Sequence, residues 1–195
     1  MALKAVVFDV GETLVDETGL WEPLADAAGV PRFTLMGVLG GLAARGEPHT
    51  DVWSVLGVER PSSIPVEAGF YADALPCLER LRARGLVVGA VGNTPASAET
   101  MLRAHVDVAG SSARWGVEKP SPAFFERIVA EVGFEPGEIA YAGDRVDNDV
   151  EPALAAGMVA VHVRRGPWGL LHDSPEGAVV IRSLDELPDA LASSP

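Results

Sequence analysis

The chain has 195 residues, of which 48% are apolar, and its formal net charge is −13 at pH 7. This length and composition are typical of one globular domain with a hydrophobic core and a small insert, and they exclude a disordered chain. The negative charge predicts no nucleic acid partner and no anionic membrane partner, because both would repel the chain. An anionic substrate would bind only where a metal ion or basic residues reverse the local sign.

We predict no targeting or membrane segment. No charged and apolar leader precedes the first apolar run, and the longest weakly charged stretch, residues 33–44, is too short to span a bilayer. We therefore predict a cytoplasmic protein. The single cysteine, Cys77, has no partner for an internal disulfide, and its place on the apolar side of a predicted helix favours an inert, buried thiol.

Short apolar runs alternate with helical patterns along the chain. The first run, 3–8, predicts a strand, whereas residues 15–71 show helix-like stretches without a strand pattern and include a linker at 60–65. Further strands are predicted at 86–91, 139–143, 159–163 and 178–181, with a weaker candidate around 106–109. Between them, Leu75, Leu78 and Leu81 share a helical face that Gly85 ends, and Ser121 and Pro122 begin a helix with an apolar face at 124–132.

Continuously apolar strands that alternate with helices predict an α/β fold, a Rossmann-like parallel sheet with helices on both faces. The segment 15–71 breaks this alternation, so we predict a small helical insert after the first strand. The sheet domain then comprises residues 1–14 and 72–195.

The residues whose side chains or backbone could bind a ligand or take part in catalysis follow the predicted strands. Ligands of open parallel sheets bind beyond the carboxyl ends of the strands, where these side chains would meet. They are Asp9; Gly92, Asn93 and Thr94; Asp144, Asp147, Asn148 and Asp149; Arg164 and Arg165; and Lys119, which precedes a helix. Carboxylates with a lysine suit phosphoryl transfer through Mg²⁺, and an aspartate can itself attack the phosphate.

Four short motifs in order carry a family resemblance. The stretches are "DVGET" at 9–13, which resembles DxDx[TV], "VGN" at 91–93, "VEKPSP" at 117–122 and "GDRVDND" at 143–149, which matches GDxxxxD. Together they resemble the motifs of the haloacid dehalogenase-like superfamily of hydrolases over essentially the full chain. The resemblance implies a Mg²⁺-dependent phosphatase of a small phosphorylated metabolite, as a monomer or homodimer.

The resemblance also implies a role for each matching residue. Asp9 corresponds to the nucleophile and a Mg²⁺ ligand, Asp144 to a direct ligand, and Asp149 to a ligand through water. Lys119 corresponds to the charge-stabilising lysine. The Gly11 carbonyl corresponds to a further metal ligand. The phosphate-binding residues correspond to Gly92, Asn93, Thr94 and Lys119. The helical insert takes the place of the family's cap, which closes over the site.

Two positions depart from the family's motifs. Gly11 replaces the aspartate that serves as general acid and base, which predicts slow proton transfer, and Glu12 is a possible but poorly directed substitute. Gly92 replaces a phosphate-binding hydroxyl, for which backbone N–H groups at 92–94 or the Thr94 hydroxyl could compensate. These losses leave open an alternative, a non-catalytic relative with a binding or regulatory role.

Other residues have simpler interpretations. Dehalogenase chemistry is disfavoured by the retained metal-binding acids, and phosphonate hydrolysis by the absence of lysine from residues 15–71. Asp147 is expected to cap a helix or to lie in solvent. Trp168 either lines the mouth of the site beside Arg164 or, as we favour, packs under a loop. Four histidines lack metal-ligand spacing and are expected to be structural or exposed, namely His49, His105, His162 and His172.

Overall fold

The computed structural model describes residues 2–62 and 69–192. Its strands are β1 (Ala5–Phe8), β2 (Val15–Asp16), β3 (Gly69–Phe70), β4 (Val87–Gly92), β5 (Val108–Ser111), β6 (Ile139–Gly143), β7 (Val159–Val163) and β8 (Val179–Ile181). Six of them form one parallel sheet in the order β5-β4-β1-β6-β7-β8. The α/β prediction is confirmed, including the weaker strand candidate around 106–109.

The central strand β1 shows why the sheet is covered on both faces. All four of its residues are buried, and alternate side chains enter different hydrophobic cores. Ala5 and Val7 pack with the cluster that contains Phe124 and Phe125, whereas Val6 and Phe8 pack with the cluster on the opposite face. A continuously apolar strand of this kind is typical of a parallel sheet between two helical layers.

The helices divide between the sheet and the helical insert. Those around the sheet are α4 (Ala74–Ala83), α5 (Ala98–Leu102), α6 (Ser112–Trp115), α7 (Pro122–Val132), α8 (Glu151–Ala155), α9 (Gly166–Leu171) and α10 (Leu187–Ala192). Gly85 follows α4 with a φ of 81°, and Ser121 and Pro122 begin α7, so these predicted helix ends are confirmed. Cys77 is buried on α4 as predicted.

The helical insert contains α1 (Thr18–Ala27), α2 (Arg32–Ala44) and α3 (Val52–Leu56). These helices share a core that is separate from the two cores of the sheet and includes four buried leucines and Trp53. Trp168 of α9 belongs to the same cluster, so it packs against the insert and not under a loop. The predicted linker at 60–65 extends beyond the described residues, and the domain boundaries stay a prediction.

Two short strands, absent from the sequence prediction, join the helical insert to the sheet domain. β2 and β3 pair antiparallel, with Val15 opposite Phe70. Each strand has two residues, which is too short to produce a pattern of alternating hydrophobicity. The chain therefore enters and leaves the insert along one ribbon.

Arg165 holds the two ends of this ribbon to the sheet domain. Its Nη1 donates to the Thr13 carbonyl oxygen (2.9 Å), its Nη2 pairs with Asp73, and its guanidinium lies 4.1 Å from the centroid of the Tyr71 ring. Thr13 precedes β2, and Tyr71 and Asp73 follow β3. One side chain thus bridges the outgoing and returning segments.

No single helix among the described residues is both long and apolar enough to cross a membrane. The pair α1 and α2 reaches the required length and composition only when it is counted together across a bend of 119°.

Candidate active site

Three aspartates meet at the carboxyl edge of the sheet. Asp9 follows β1, Asp144 follows β6, and Asp149 lies in the π-helical turn Val146–Val150 behind β6. Their exposed fractions are 8%, 3% and 0%, and one oxygen of each lies within 4.8 Å of one oxygen of the others. The predicted convergence of these residues is therefore observed.

Lys119 places a positive charge inside this group. Its Nζ pairs with Asp9 Oδ1 and lies 2.6 Å from Asp149 Oδ1, and the residue is 4% exposed. Asn93 fixes the lysine backbone from both sides: Lys119 N donates to Asn93 Oδ1 (2.8 Å), and Asn93 Nδ2 donates to the Lys119 carbonyl (2.9 Å). The lysine is thus a buried, positioned group and not a surface residue.

Gly143, the last residue of β6, has no side chain, and this lets the fully buried Asp149 carboxylate lie close to the backbone. A Cβ atom on Gly143 would lie 2.5 Å from Cγ of Asp149, so a larger residue would displace that side chain. Asp149 Oδ2 accepts from the backbone N–H of Arg145 (3.1 Å), and Oδ1 also accepts from the Tyr141 hydroxyl (3.3 Å). These contacts orient Asp149 towards Lys119.

Asp144 is held through its backbone. His162 Nε2 donates to the Asp144 carbonyl oxygen (3.1 Å), and His162 Nδ1 lies 2.7 Å from Ser174 Oγ. Because a carbonyl oxygen only accepts, His162 carries its proton on Nε2. Burial lowers the pKa of His162, which keeps the ring neutral in this role.

Burial and crowding shift the charges of the cluster. Burial raises the pKa of Asp9 to about 6, with a further contribution from Asp149, although Lys119 opposes the shift. Burial, then Asp149 and Asp9, raise the pKa of Asp144 well above its usual range. Although burial disfavours the ammonium, Asp149 and Asp9 raise the pKa of Lys119 well above its usual value. The lysine therefore stays protonated.

The donor set fits a hard divalent cation. Three buried carboxylates offer oxygen ligands within a few ångströms of one another, which is the chemistry that Mg²⁺ prefers. Burial is the main cause of the raised pKa values of Asp9 and Asp144, and repulsion between the carboxylates, which such a cation would relieve, adds to it.

The loop after β4 lies beside Asp9. A Cβ on Gly92 would approach Asp9 Oδ1 to 3.1 Å, which explains the close packing of backbone and carboxylate here. The side-chain amide of Asn93 is engaged with Lys119, and Thr94 N donates to the Gly92 carbonyl (2.9 Å). In contrast, Thr94 Oγ1 is buried without a hydrogen-bond partner among the described residues, so it is available to a ligand.

The space that Gly11 leaves open is filled by Glu17. A Cβ on Gly11 would lie 2.3 Å from Glu17 Oε1 and 2.9 Å from its Cδ. The other oxygen, Oε2, accepts from Trp21 Nε1 (3.0 Å). Burial raises the pKa of Glu17 to about 7, with smaller contributions from Glu12 and Asp9.

A backbone reversal brings Glu17 back to Gly11. Gly11 and Val15 form an isolated bridge, Glu12 N donates to the Val15 carbonyl (2.8 Å), and Glu12 has a φ of 52°. Glu12 Oε1 accepts from Glu17 N (2.9 Å), and Glu12 Oε2 accepts from the Tyr71 hydroxyl (2.8 Å). The Glu12 carboxylate therefore braces the turn, which agrees with its expected poor orientation towards the site.

A cavity of about 1160 Å³ lies over the cluster. Its floor includes Asp9, Lys119 and Asp144, and its walls include Trp21 and Trp53 of the helical insert. These two rings stack with centroids 6.4 Å apart, and the other aromatic and basic wall residues are His49, Arg60, Arg145 and Trp168.

Several residues that were given simpler interpretations also lie near the cavity. Trp168 both packs in the core of the insert and lines the cavity, with Arg145 5.2 Å above its ring. Asp147 pairs with Arg145 (2.6 Å) with half of its side chain exposed, and it caps no helix by a side-chain bond. His49 contacts Trp21 and Trp168 edge to face. Arg164 is not among the residues that line the cavity, and its Nη2 donates to the Leu170 carbonyl.

Three residues of the site were not predicted from the sequence, namely Glu17, Trp21 and Arg145. Glu17 and Trp21 are four residues apart, which is typical of contacts at the start of a helix. That spacing alone would have indicated that they touch each other, although not that they face Gly11.

Comparison with known proteins agrees with this geometry. The curated relatives include glyceraldehyde 3-phosphate phosphatases of two archaea. The protein from Methanopyrus kandleri is 38% identical over 104 residues, which is 50% of this chain and 45% of that protein. The protein from Methanocaldococcus jannaschii is 32% identical over 125 residues, 61% and 55% of the two chains. The chain thus spans about half the length of these relatives.

A solved structure extends the likeness to nearly the whole fold. The HAD phosphatase from Thermococcus onnurineus superposes with a TM-score of 0.68 at 24% identity and covers 98% of this chain and 99% of its own. A sequence profile described as haloacid dehalogenase-like hydrolase matches residues 3–157, well over half of the chain. The protein belongs to the haloacid dehalogenase-like hydrolase family.

Proposed function

We propose that this protein is a Mg²⁺-dependent phosphatase that acts on a small phosphate monoester through an aspartyl-phosphate at Asp9. The observation that carries the proposal is the buried group of Asp9, Asp144, Asp149 and Lys119 at the floor of the cavity. Burying this many charged groups costs folding free energy, so their presence in one cluster indicates a functional site.

In the first step, a carboxylate oxygen of Asp9 attacks the phosphorus atom. The bond from phosphorus to the substrate's ester oxygen breaks, and the leaving oxygen takes a proton. In the second step, water attacks the aspartyl-phosphate, the bond from Asp9 to phosphorus breaks, and inorganic phosphate leaves. Lys119 stays protonated and stabilises the negative charge on Asp9 and the phosphoryl group.

The metal would be held by Asp9, Asp144 and Asp149, the last through water, together with the Gly11 carbonyl. Bound Mg²⁺ supplies a positive charge that neutralises the phosphoryl oxygens and offsets carboxylate repulsion.

The phosphoryl oxygens would bind between Lys119 and the loop after β4. The unpartnered hydroxyl of Thr94 supports this position, since it offers a hydrogen bond where Gly92 has no side chain. The N–H of Asn93 is a further donor in our proposal, because the Asn93 side chain is engaged elsewhere and Thr94 N already donates to Gly92.

The helical insert would act as the cap that closes over the substrate. Its aromatic side chains form walls of the cavity, which supports a role in substrate selection. The names of the relatives make glyceraldehyde 3-phosphate the first substrate to test. The cytoplasmic location, the lack of nucleic acid and membrane partners, and the monomeric or dimeric state stay predictions from the sequence.

The test is hydrolysis of an aryl phosphate and of glyceraldehyde 3-phosphate with Mg²⁺, with chelator, and by Asp9→Asn. We expect activity that requires Mg²⁺ and is lost in Asp9→Asn, whereas Asp26→Asn, an exposed carboxylate on α1, retains it. Turnover by Asp9→Asn at the wild-type rate would refute the nucleophile assignment. A complete lack of turnover would restore the alternative of a non-catalytic relative, which the buried cluster does not favour.

A further inference from the structure

The departure at Gly11 leaves the proposed reaction without its usual proton-transfer group. The leaving oxygen needs a proton in the first step, and the attacking water must lose one in the second. General acid and base groups typically contribute about 10²–10⁴-fold to such steps. A carboxyl group elsewhere in the cavity would have to replace the missing one.

We propose that Glu17 is the general acid and base of this reaction and supplies, from the start of the helical insert, the carboxyl group that Gly11 lacks. This inference rests on the proposed function. Glu17 occupies the space where a side chain at position 11 would lie. Glu17 Oε1 lies 2.3 Å from the position of a Cβ on Gly11, so an aspartate at position 11 and Glu17 in its present conformation cannot coexist.

The Glu17 carboxyl group is also held in place. Trp21 Nε1 donates to Oε2 of Glu17 (3.0 Å), and the backbone N–H of Glu17 donates to Glu12 (2.9 Å). Oε1 has no hydrogen-bond partner among residues 2–62 and 69–192, and Glu17 lines the same cavity as Asp9 and Lys119. One oxygen is thus anchored and the other is free to face a substrate.

Glu118 also lines the cavity but is exposed, and the atoms nearest to a Cβ on Gly11 belong to Glu17; the other carboxylates near the cavity are already engaged. Glu12 uses both oxygens to brace the turn, and Asp147 pairs with Arg145. Asp144 and Asp149 belong to the proposed metal site. Glu17 is the cavity carboxylate that combines a free oxygen with a position beside Gly11.

The proton transfers balance over one cycle. The Glu17 carboxyl gives its proton to the leaving oxygen while the ester bond to phosphorus breaks and Asp9 becomes phosphorylated. The resulting carboxylate takes a proton from water while the water oxygen bonds to phosphorus and the bond to Asp9 breaks. Glu17 is then protonated again, and phosphate leaves.

The principal variant is Glu17→Gln, which keeps the size of the side chain and an oxygen that can accept from Trp21. We expect hydrolysis of an alkyl phosphate such as glyceraldehyde 3-phosphate to fall about 10²–10⁴-fold. With p-nitrophenyl phosphate, whose leaving group needs little protonation, the first step should stay fast. Phosphorylated protein should then accumulate, visible as one burst of nitrophenol and as a mass increase of one phosphoryl group on Asp9.

A second variant separates catalysis from folding. Gly11→Asp combined with Glu17→Ala removes the steric conflict and returns a carboxyl group from position 11. We expect this double variant to recover alkyl phosphate hydrolysis to within about tenfold of wild type, whereas Glu17→Ala alone stays inactive. Glu22→Gln, an exposed carboxylate of α1 that pairs with Arg32, is the matched control and should retain wild-type rates.

The outcomes separate this inference from the proposed function. If wild type is active and Glu17→Gln matches it on alkyl phosphates without a phosphorylated intermediate, the inference alone is overturned. If the double variant is as inactive as Glu17→Ala, the claim that Glu17 takes over the role of a carboxyl group at position 11 is refuted. If wild type hydrolyses no phosphate ester, the proposed function fails and the inference falls with it.

Discussion

Replacing Arg165 with methionine should loosen the connection between the helical insert and the sheet domain. The methionine keeps an apolar stem beside Tyr71 but removes the guanidinium, its ion pair with Asp73 and its bond to the Thr13 carbonyl. The side chains of Arg165 and Asp73 are only 12% and 13% exposed, so water replaces these contacts poorly.

The size of the effect follows from these contacts. A hydrogen bond between charged groups contributes about 1.5–3 kcal/mol to the free energy of unfolding. A hydrogen bond to a neutral acceptor such as the Thr13 carbonyl contributes about 1 kcal/mol, and the contact with the Tyr71 ring about 0.5–1 kcal/mol. Allowing for non-additivity, we expect Arg165→Met to lower the free energy of unfolding by about 3–4 kcal/mol. For a chain of this size that corresponds to a fall in Tm of about 6–16 °C.

Thermal unfolding followed by circular dichroism measures this change, and limited proteolysis reports whether the ribbon opens. The neighbouring Arg164→Met is the matched control. Its guanidinium donates to the Leu170 carbonyl at an exposed site, so we expect a loss of about 1 kcal/mol or less. A fall in Tm below about 2 °C for Arg165→Met, or one equal to that of Arg164→Met, would refute the bridging role.

Two further predictions concern Asp73 and Cys77. Although burial alone would raise the pKa of Asp73, hydrogen bonds from Arg165 and Ser183 hold it below its usual value, so its stabilisation is present above about pH 4 and is lost as the pH falls through the folded-state pKa. Urea unfolding should show a constant difference between wild type and Asp73→Asn from about pH 5 to 7 and a smaller one near pH 3; an unchanged difference at low pH would contradict this. Cys77 is fully buried, and burial raises the pKa of its thiol to about 12, so a thiol reagent at pH 8 should label the unfolded chain but not the native one. Rapid labelling of the native protein would show that α4 opens readily.

The sequence was sufficient to locate the carboxylate cluster. Asp9 and Asp144 each follow a continuously apolar strand, and parallel strands end at a common edge, so their proximity follows from the fold class alone. Lys119 and Asp149 were expected near the same edge, but their roles needed the family resemblance, because a lysine before a helix and an acid in a polar turn are common without any function. The structure then supplied their burial and contacts.

The positions of Glu17, Arg165 and Trp168 depend on contacts that no local sequence pattern encodes. Glu17 reaches Gly11 through a tight reversal in which Glu12 has a positive φ, a conformation that sequence patterns rarely reveal for a glutamate. Arg165 meets Thr13 across 152 positions of the chain. Trp168 was expected under a loop, but it packs into the core of an insert more than a hundred residues earlier in the sequence.

The β2–β3 ribbon has a consequence for how such a protein can diversify. Because Val15 lies opposite Phe70, the segment between them begins and ends at neighbouring points, and doubling its length would add only about 0.6 kcal/mol to the entropy of closure. Evolution can therefore exchange this segment as a module while the sheet edge with Asp9 stays unchanged, provided that the new module still accommodates Trp168. If the insert selects the substrate and Glu17 carries the proton, as we propose, each such exchange would alter substrate choice and the chemical step together.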